Sequence, residues 1–199
     1  MQPNTLTKIS RWREILSSCD QFGYLTTSQI QRLHNLGSRR NVSRILNDMG
    51  GLLSSFRESE TVWYLSAKGR KEIGSENVRK RTLHVQHSIM RNEVYIAYRP
   101  DLWKPEYSLK WDGNELVADA IFRKNGAYTF LEIDLTQSIA ANERKIAAYR
   151  ELRDSGKWQA KYGVFPTLMV LTSSDYRKQK LRSLVGDLKS EVLIFSDIT

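Results

Sequence analysis

Cysteine and histidine are scarce in this sequence, and their scarcity argues against several kinds of site. The chain of 199 residues contains a single cysteine and three histidines. Cys19 has no partner for an internal disulfide, so we expect it to be a small buried side chain on the first helix. His84 and His87 stand one helical turn apart, but no third ligand accompanies them, which disfavours a zinc site.

Long apolar runs are also missing. No segment approaches the ~18 apolar residues that a membrane-spanning helix requires, and residues 1–16 lack the apolar core of a signal peptide. Together with the single cysteine, these absences predict a cytoplasmic protein with no membrane partner. A hydrophobic content of 40% and five tryptophans indicate a packed core, and the length allows one large domain or two small ones.

The whole chain has a net charge of +9, and most of the positive excess lies in its first half. Residues 1–99 contain 16 Lys and Arg against 8 Asp and Glu, whereas residues 100–199 contain 15 against 14. A basic half predicts a polyanionic partner. A solvated basic surface without a partner would have the same composition, so charge alone does not decide between them.

Three helices are predicted in the first fifty residues. Residues 9–19 have an apolar face at helical spacing, and Gly23 ends that helix. Thr26 and Gln29 then have the spacing of a capping box that begins a second helix. A third helix is predicted over residues 39–49, where the buried stripe consists of Val42, Ile45, Leu46 and Met49.

The opposite face of this third helix carries side chains suited to nucleic acid. Two helices joined by a tight turn containing Gly37, the second one exposing Arg, Ser and Asn, have the layout of a helix-turn-helix. Arginine suits guanine edges or phosphates, and asparagine suits adenine. A solvated basic face is the alternative. The candidate residues for binding double-stranded DNA are Arg39, Arg40, Ser43, Arg44 and Asn47.

A hairpin is predicted after the three helices, with strands at residues 52–53 and 62–65 around a polar turn. Three helices followed by a hairpin resemble a winged-helix domain, and so does the ending Tyr64-Leu65-Ser66-x-x-Gly69. The resemblance implies that Arg57, at the tip of the wing, lies near DNA phosphates.

Residues 75–81 are polar and basic, and we place the domain boundary there. The prediction is a winged-helix DNA-binding domain over residues 1–75 and an α/β domain over residues 76–199. The apolar run at residues 165–172 is expected to pair in parallel with the strand at residues 128–135 across a helical crossover. The predicted elements are helix 83–98, strands 107–111, 116–122 and 128–135, helix 139–154, strand 165–172, helix 175–188 and strand 192–195.

Three carboxylates stand on two neighbouring strands of this second domain. Asp119 lies within one apolar run, and Glu132 and Asp134 alternate along the next, so the last two share a face. Carboxylates that converge in a sheet are costly unless a cation, a proton or hydrogen bonds compensate. The cluster is therefore a candidate site, although each acid could instead have its own salt bridge.

The element order, with acids on the second and third strands, is similar to the PD-(D/E)XK nuclease-like fold. The resemblance implies that Asp119 and Glu132 hold Mg²⁺, which polarises a phosphodiester and lowers the pKa of the attacking water. The family has a lysine two residues after the glutamate, but this chain has Asp134 there. Two arrangements would keep catalysis: Lys145 supplies the ammonium, or Asp134 acts as a third metal ligand. Otherwise the fold persists without catalysis, and its carboxylates pair with Lys145, Arg144 or a helix N-terminus.

The whole chain also resembles the replication-relaxation proteins of plasmids and other mobile elements. The matching positions are Asp119-Ala120, Leu131-Glu132-Ile133-Asp134, Thr136, Lys145 and Tyr149, with His87 and Asn92 on the preceding helix. Many members have an Arg-Gly pair where this chain has only Leu135. The resemblance implies a role in replication or relaxation of mobile-element DNA, with double-stranded DNA, a second copy of the chain or other replication proteins as partners. A Mg²⁺-dependent endonuclease or nickase targeted by the winged helix is the alternative.

Overall fold

The computed structural model describes residues 3–82 and 84–198. It is a mixed α+β structure with a three-stranded antiparallel sheet and a five-stranded mixed sheet. The chain divides into two compact units, Met1–Asn92 and Glu93–Thr199. Within the described residues, no helix combines the length and the apolar character that crossing a bilayer demands.

The first unit contains helices and a small sheet whose strand order is β1-β3-β2. The predicted hairpin is present, whereas β1 was not predicted because two residues are too few to show a period. The elements are α1 (Pro3–Phe22), β1 (Leu25–Thr26), α2 (Thr27–Leu33), α3 (Arg39–Asp48), β2 (Leu53–Arg57), β3 (Thr61–Leu65), α4 (Ala67–Ile73) and the first part of α5 (Val85–Tyr98).

Local hydrogen bonds fix where α2 and α3 begin. The hydroxyl of Thr26 accepts from the backbone N–H of Gln29 at 3.1 Å, and the Gln29 side chain accepts from the N–H of Thr26 at 3.2 Å. This reciprocal pair confirms the predicted capping box. Ser38 caps α3 by accepting from the N–H of Asn41 at 3.3 Å. The predicted buried stripe of α3 is confirmed as well, because Val42, Ile45, Leu46 and Met49 are all buried.

The segment predicted as the domain boundary, residues 75–81, forms hydrogen bonds with other parts of the first unit. Tyr24 donates a hydrogen bond to the carbonyl of Lys80 at 2.5 Å, and Arg81 donates to Glu58 at 2.9 Å. Buried Asn92 on α5 donates to the carbonyls of Phe22 and Tyr24 at 3.1 and 2.8 Å. The compact units consequently divide within α5, at residue 92. The functional division at residue 75 stays a prediction, and Leu83, the predicted start of this helix, lies outside the described residues.

The second unit is a five-stranded sheet in the order β4-β5-β6-β7-β8. The first three strands are antiparallel, and β6, β7 and β8 run parallel, which confirms the predicted helical crossover. Helix α7 was not predicted, because it is short and its N-cap residue, Gly156, has no side chain to cap it. The elements after α5 are β4 (Leu102–Trp111), β5 (Asn114–Lys124), β6 (Ala127–Asp134), α6 (Ile139–Asp154), α7 (Lys157–Tyr162), β7 (Thr167–Thr172), α8 (Asp175–Val185) and β8 (Ser190–Ile194).

Helices α6, α7 and α8 contribute to one apolar core with the sheet. Phe130 and Leu168 from the central strands are fully buried there, together with Tyr149 from α6, and Trp158 from α7 and Leu181 from α8 are nearly so. Because α6 lies against β6, polar side chains at the carboxyl end of β6 meet side chains from α6. Two of the three candidate carboxylates, Glu132 and Asp134, occupy that end of the strand.

Gly69→Ala is expected to destabilise the protein by about 2 kcal/mol or more. An unconstrained helix would gain about 1 kcal/mol from this change, but a Cβ at Gly69 would overlap the carbonyl oxygen of Leu52. Urea unfolding measures the difference, with Glu72→Ala at an exposed position of α4 as the matched control. A Gly69→Ala variant as stable as wild type would show that α4 does not close on Leu52.

Candidate functional site

The predicted DNA-binding residues on α3 lie on one exposed face. Arg39, Arg40, Ser43, Arg44 and Asn47 are all exposed, on the side of the helix away from its buried stripe. Their shared exposure follows from the helical period, because positions three and four apart occupy the same side.

Two of the three arginines on this face are held by carboxylates. Arg39 pairs with Glu60 at 2.6 Å, and the carboxylate of Glu60 also accepts from the N–H and the hydroxyl of Ser28 at 3.0 and 2.7 Å. Arg44 lies 3.5 Å from Asp48 and donates to the side-chain carbonyl of Asn41 at 2.8 Å. These contacts set the direction of both guanidinium groups.

The rest of the exposed face of α3 consists of Arg40, Ser43 and Asn47. Among the residues that the structure describes, none of these three side chains has a hydrogen bond or an ion pair. Arg57, at the end of β2, is exposed and donates to the hydroxyl of Thr61 at 3.4 Å. Arg40, Ser43 and Asn47 are therefore free to contact another molecule. Arg57 lies at the hairpin turn, as expected.

Asp119, Glu132 and Lys145 come together in the second unit. The register of β5 and β6 pairs Ala120 with Leu131, so Asp119 stands next to Glu132 on the adjoining strand. One oxygen of Asp119 accepts from the N–H of Ile133 at 2.7 Å, and the other lies 4.0 Å from the ammonium of Lys145. The same ammonium forms an ion pair with Glu132.

Tyr149 completes this group from the next turn of α6. Its hydroxyl donates to the other carboxylate oxygen of Glu132 at 2.5 Å, since residues four apart on a helix share a face. Burial raises the pKa of Tyr149 well above its ordinary value, and the nearby charge of Glu132 raises it further. A fully buried phenol of this kind is unsuited to nucleophilic attack, and Tyr149 instead orients Glu132.

The carboxyl group of Glu132 has a strongly raised pKa. The residue is 8% exposed, and burial together with the charge of Asp119 raises its pKa to about 8. Lys145 and Tyr149 act in the opposite direction. One ammonium therefore serves two carboxylates, and the balance still favours an additional proton or positive charge near Glu132.

Asp134 belongs to a different set of partners. It is 2% exposed and accepts two hydrogen bonds from Arg177 on α8, both at 2.6 Å. Thr172 and Asn142 each donate to it at 2.9 Å. Burial by itself would raise the pKa of Asp134, but the hydrogen bonds from Arg177, Asn142 and Thr172 hold it below its ordinary value.

The three carboxylates do not converge on one point. Glu132 and Asp134 share a face and line the same cavity of about 100 Å³, but Arg177 takes both oxygens of Asp134. In the described part of the chain, no group of three or more His, Cys, Asp or Glu side chains is placed to hold a metal. Asp119 and Glu132 fit the one or two protein carboxylates that Mg²⁺ commonly takes, whereas Asp134 does not fit the role of a third ligand.

Several partners in this site were not predicted from the sequence. Arg177, Thr172 and Asn142 surround Asp134, and none of them stands near it in the sequence pattern. A polar residue at the end of an apolar strand, as Thr172 is, was the available signal. Tyr149 is among the positions that carry the family resemblance.

The chain matches a protein-family model and is distantly similar to solved structures. The family model described as Replication-relaxation matches residues 16–168, which is more than half of the chain. No curated protein matches this chain. The crystal structure of protein VC1899 from Vibrio cholerae has a TM-score of 0.40 and 8% sequence identity, and the alignment covers 96% of this chain and 48% of that one. This chain thus spans about half the length of that protein, and the likeness carries no functional argument.

Glu132→Gln is expected to change how stability depends on pH. The carboxyl pKa rises from 4.5 to about 8 on folding, so the stability it contributes is complete below 4.5 and is lost as the pH rises through about 8. Relative to the variant, wild type should lose at most about 1.4 kcal/mol of unfolding free energy per pH unit in this window. Urea titrations at several pH values measure it.

The matched control for this titration is Glu143→Gln, which removes an exposed carboxyl group from α6. If Glu132→Gln and Glu143→Gln have the same pH profile as wild type, the environment described for Glu132 is wrong.

Proposed function

The chain belongs to the replication-relaxation family, and we propose that it binds the double-stranded DNA of a plasmid or other mobile element and acts in its replication, its relaxation or the control of these processes. The observation that carries the proposal is the exposed face of α3, where Arg40, Ser43 and Asn47 are available to a partner. Arginine and asparagine at such positions suit the edges of guanine and adenine in the major groove.

The proposed DNA-binding element is a winged helix within the first unit. Its support is the chain order, in which α1, α2 and α3 are followed by the hairpin of β2 and β3, with β1 adding a short third strand. In this proposal α3 enters the major groove as the recognition helix. Arg57, at the hairpin turn, contacts phosphates, and the basic excess of the first half of the chain attracts DNA over longer distances.

For the second unit we propose a nuclease-like module that has lost catalysis and serves as a platform for dimerisation or for replication proteins. The support is the pairing of its carboxylates with basic side chains. Lys145 contacts Glu132 and lies near Asp119, and Arg177 occupies Asp134. The position at which the nuclease motif has its lysine is Asp134, whose charge is of the opposite sign.

A Mg²⁺-dependent endonuclease or nickase is the second candidate, and the position of Lys145 favours it. This lysine reaches the two carboxylates that would hold the ion, Asp119 and Glu132, so it could take the role of the missing motif lysine from α6. Bound Mg²⁺ would polarise the phosphodiester and lower the pKa of water. Lys145 would move from its ion pair to a phosphate oxygen, and Tyr149 would keep Glu132 oriented.

Duplex binding should depend on α3 and should need no metal. We expect Arg40→Ala to weaken binding by roughly tenfold, and Asn47→Ala to reduce the preference for the native site more than it reduces affinity for a scrambled duplex. Fluorescence anisotropy in EDTA, with a duplex from the DNA flanking the gene, measures both effects. Lys110→Ala, an exposed ion-paired lysine on β4, is the control. Unchanged affinity and selectivity in both α3 variants would show that α3 does not contact the duplex.

The two candidate functions of the second unit differ in a nicking assay. Supercoiled plasmid carrying the flanking DNA is incubated with wild type, Asp119→Ala or Lys145→Ala, in Mg²⁺, Mn²⁺ or EDTA. The platform proposal predicts no metal-dependent nicking by wild type, with duplex binding retained. Nicking that requires metal, and that drops by at least about a hundredfold in both variants, would instead establish the endonuclease.

A further inference from the structure

A groove between α1 and α3 gathers positive charge beside the exposed face of α3. It has a volume of about 210 Å³, and Lys8, Arg11 and Trp12 of α1 line it together with Arg44 and Asp48 of α3. Three cations face one carboxylate, so the groove has a net positive charge. A site of this charge suits an anion.

Lys8, Arg44 and Asp48 in the groove are linked to one another but remain accessible. Lys8 lies 3.8 Å from Asp48, and its ammonium stands over the ring of Trp12 at 4.8 Å from the centroid. Arg44 lies 3.5 Å from the same oxygen of Asp48. The side chains of Lys8, Asp48 and Arg44 are 51%, 41% and 63% exposed. Ion pairs with this exposure are weak, so a stronger anion can replace Asp48 as the partner of both cations.

Arg44 has intramolecular partners, whereas the side chains of Arg40, Ser43 and Asn47 on the same helix have none in the described part of the chain. Asn41 and Asp48 hold its guanidinium along the helix, and it lines the groove. Arg40, Ser43 and Asn47 lie outside the lining of the groove and have no such tether. The exposed face of α3 thus includes one arginine directed to α1, Arg44, and three residues without intramolecular partners among the residues described.

We propose that this groove binds a phosphate of the DNA backbone through Lys8, Arg11 and Arg44, while Arg40, Ser43 and Asn47 contact base edges. Asp48 is the counter-charge of the groove, and it limits affinity for DNA of any sequence. This assignment rests on the proposed duplex binding. Phosphate contacts fix the position of a protein on DNA without reading sequence, so the groove would set how deeply and in which register α3 is inserted.

The test is the salt dependence of duplex binding by the double variant Lys8→Gln and Arg11→Gln of the 199-residue chain. Each phosphate contact contributes about −0.9 to the slope of log affinity against log salt. We expect the slope to become less steep by about 1–2, with the same fold-loss of affinity for the native and for a scrambled duplex. Arg44→Gln should act in the same direction with a smaller change, and Asp48→Asn should increase affinity for both duplexes.

The matched control is Lys110→Gln with Lys157→Gln, which removes two exposed, ion-paired lysines from the second unit. A slope in the Lys8 and Arg11 variant equal to that of the control, or a loss confined to the native duplex, would overturn the assignment. Weaker binding by Asp48→Asn would also contradict it. Absence of duplex binding by wild type would instead refute the proposed function, and thermal unfolding of each variant confirms that it is folded.

Discussion

Buried negative charge at the carboxyl end of β6 determines much of how the second unit is assembled. Glu132 and Asp134 are almost completely removed from solvent, and an uncompensated buried carboxylate costs several kcal/mol. Helix α6 contributes Lys145, Tyr149 and Asn142, and α8 contributes Arg177. The helices that cover the sheet therefore also neutralise its charge, and the same contacts that satisfy the carboxylates orient these two helices on the strands.

The two carboxylates are compensated in different ways, and this difference bears on function. Asp134 has a two-point bond to a guanidinium that stays charged, together with two neutral donors, so its negative charge is well balanced. Glu132 shares one ammonium with Asp119, and its pKa is raised to about 8. The first arrangement is suited to structural support. In the second arrangement the negative charge is only partly balanced, so an additional cation would be favourable there. Whether the second unit is catalytic therefore depends on Glu132 and its neighbours.

The first unit uses exposed ion pairs for a different purpose. The pairs of Arg39 with Glu60 and of Arg44 with Asp48 are exposed on the arginine side, and such pairs add little to stability. They do restrict where long side chains point. As a result, some outward residues of α3 have intramolecular partners and others have none within the described structure. This difference cannot be predicted from the positions of the residues on a helical wheel.

Local spacing decided a large part of this structure in advance. The stripe of α3, the capping box of Thr26 and Gln29, the parallel pairing of β6 with β7 and the common face of Lys145 and Tyr149 all follow from periods within a few residues or from the rules of strand connection. These features could be predicted because their physical cause lies within the segment itself. The candidate residues Asp119 and Glu132 were found in the same way, whereas the candidate role of Lys145 was implied by the family resemblance.

Only the tertiary structure decided which charges meet. Arg177 is 43 residues from Asp134 in the chain, and Glu60 is 21 residues from Arg39. Nothing in the periodicity of either segment selects these partners. They are chosen by sheet register and by the packing of helices on the sheet, which bring distant side chains within hydrogen-bond distance. For the same reason, the sequence indicated three acids on adjacent strands, and the fold divided them between Lys145 and Arg177.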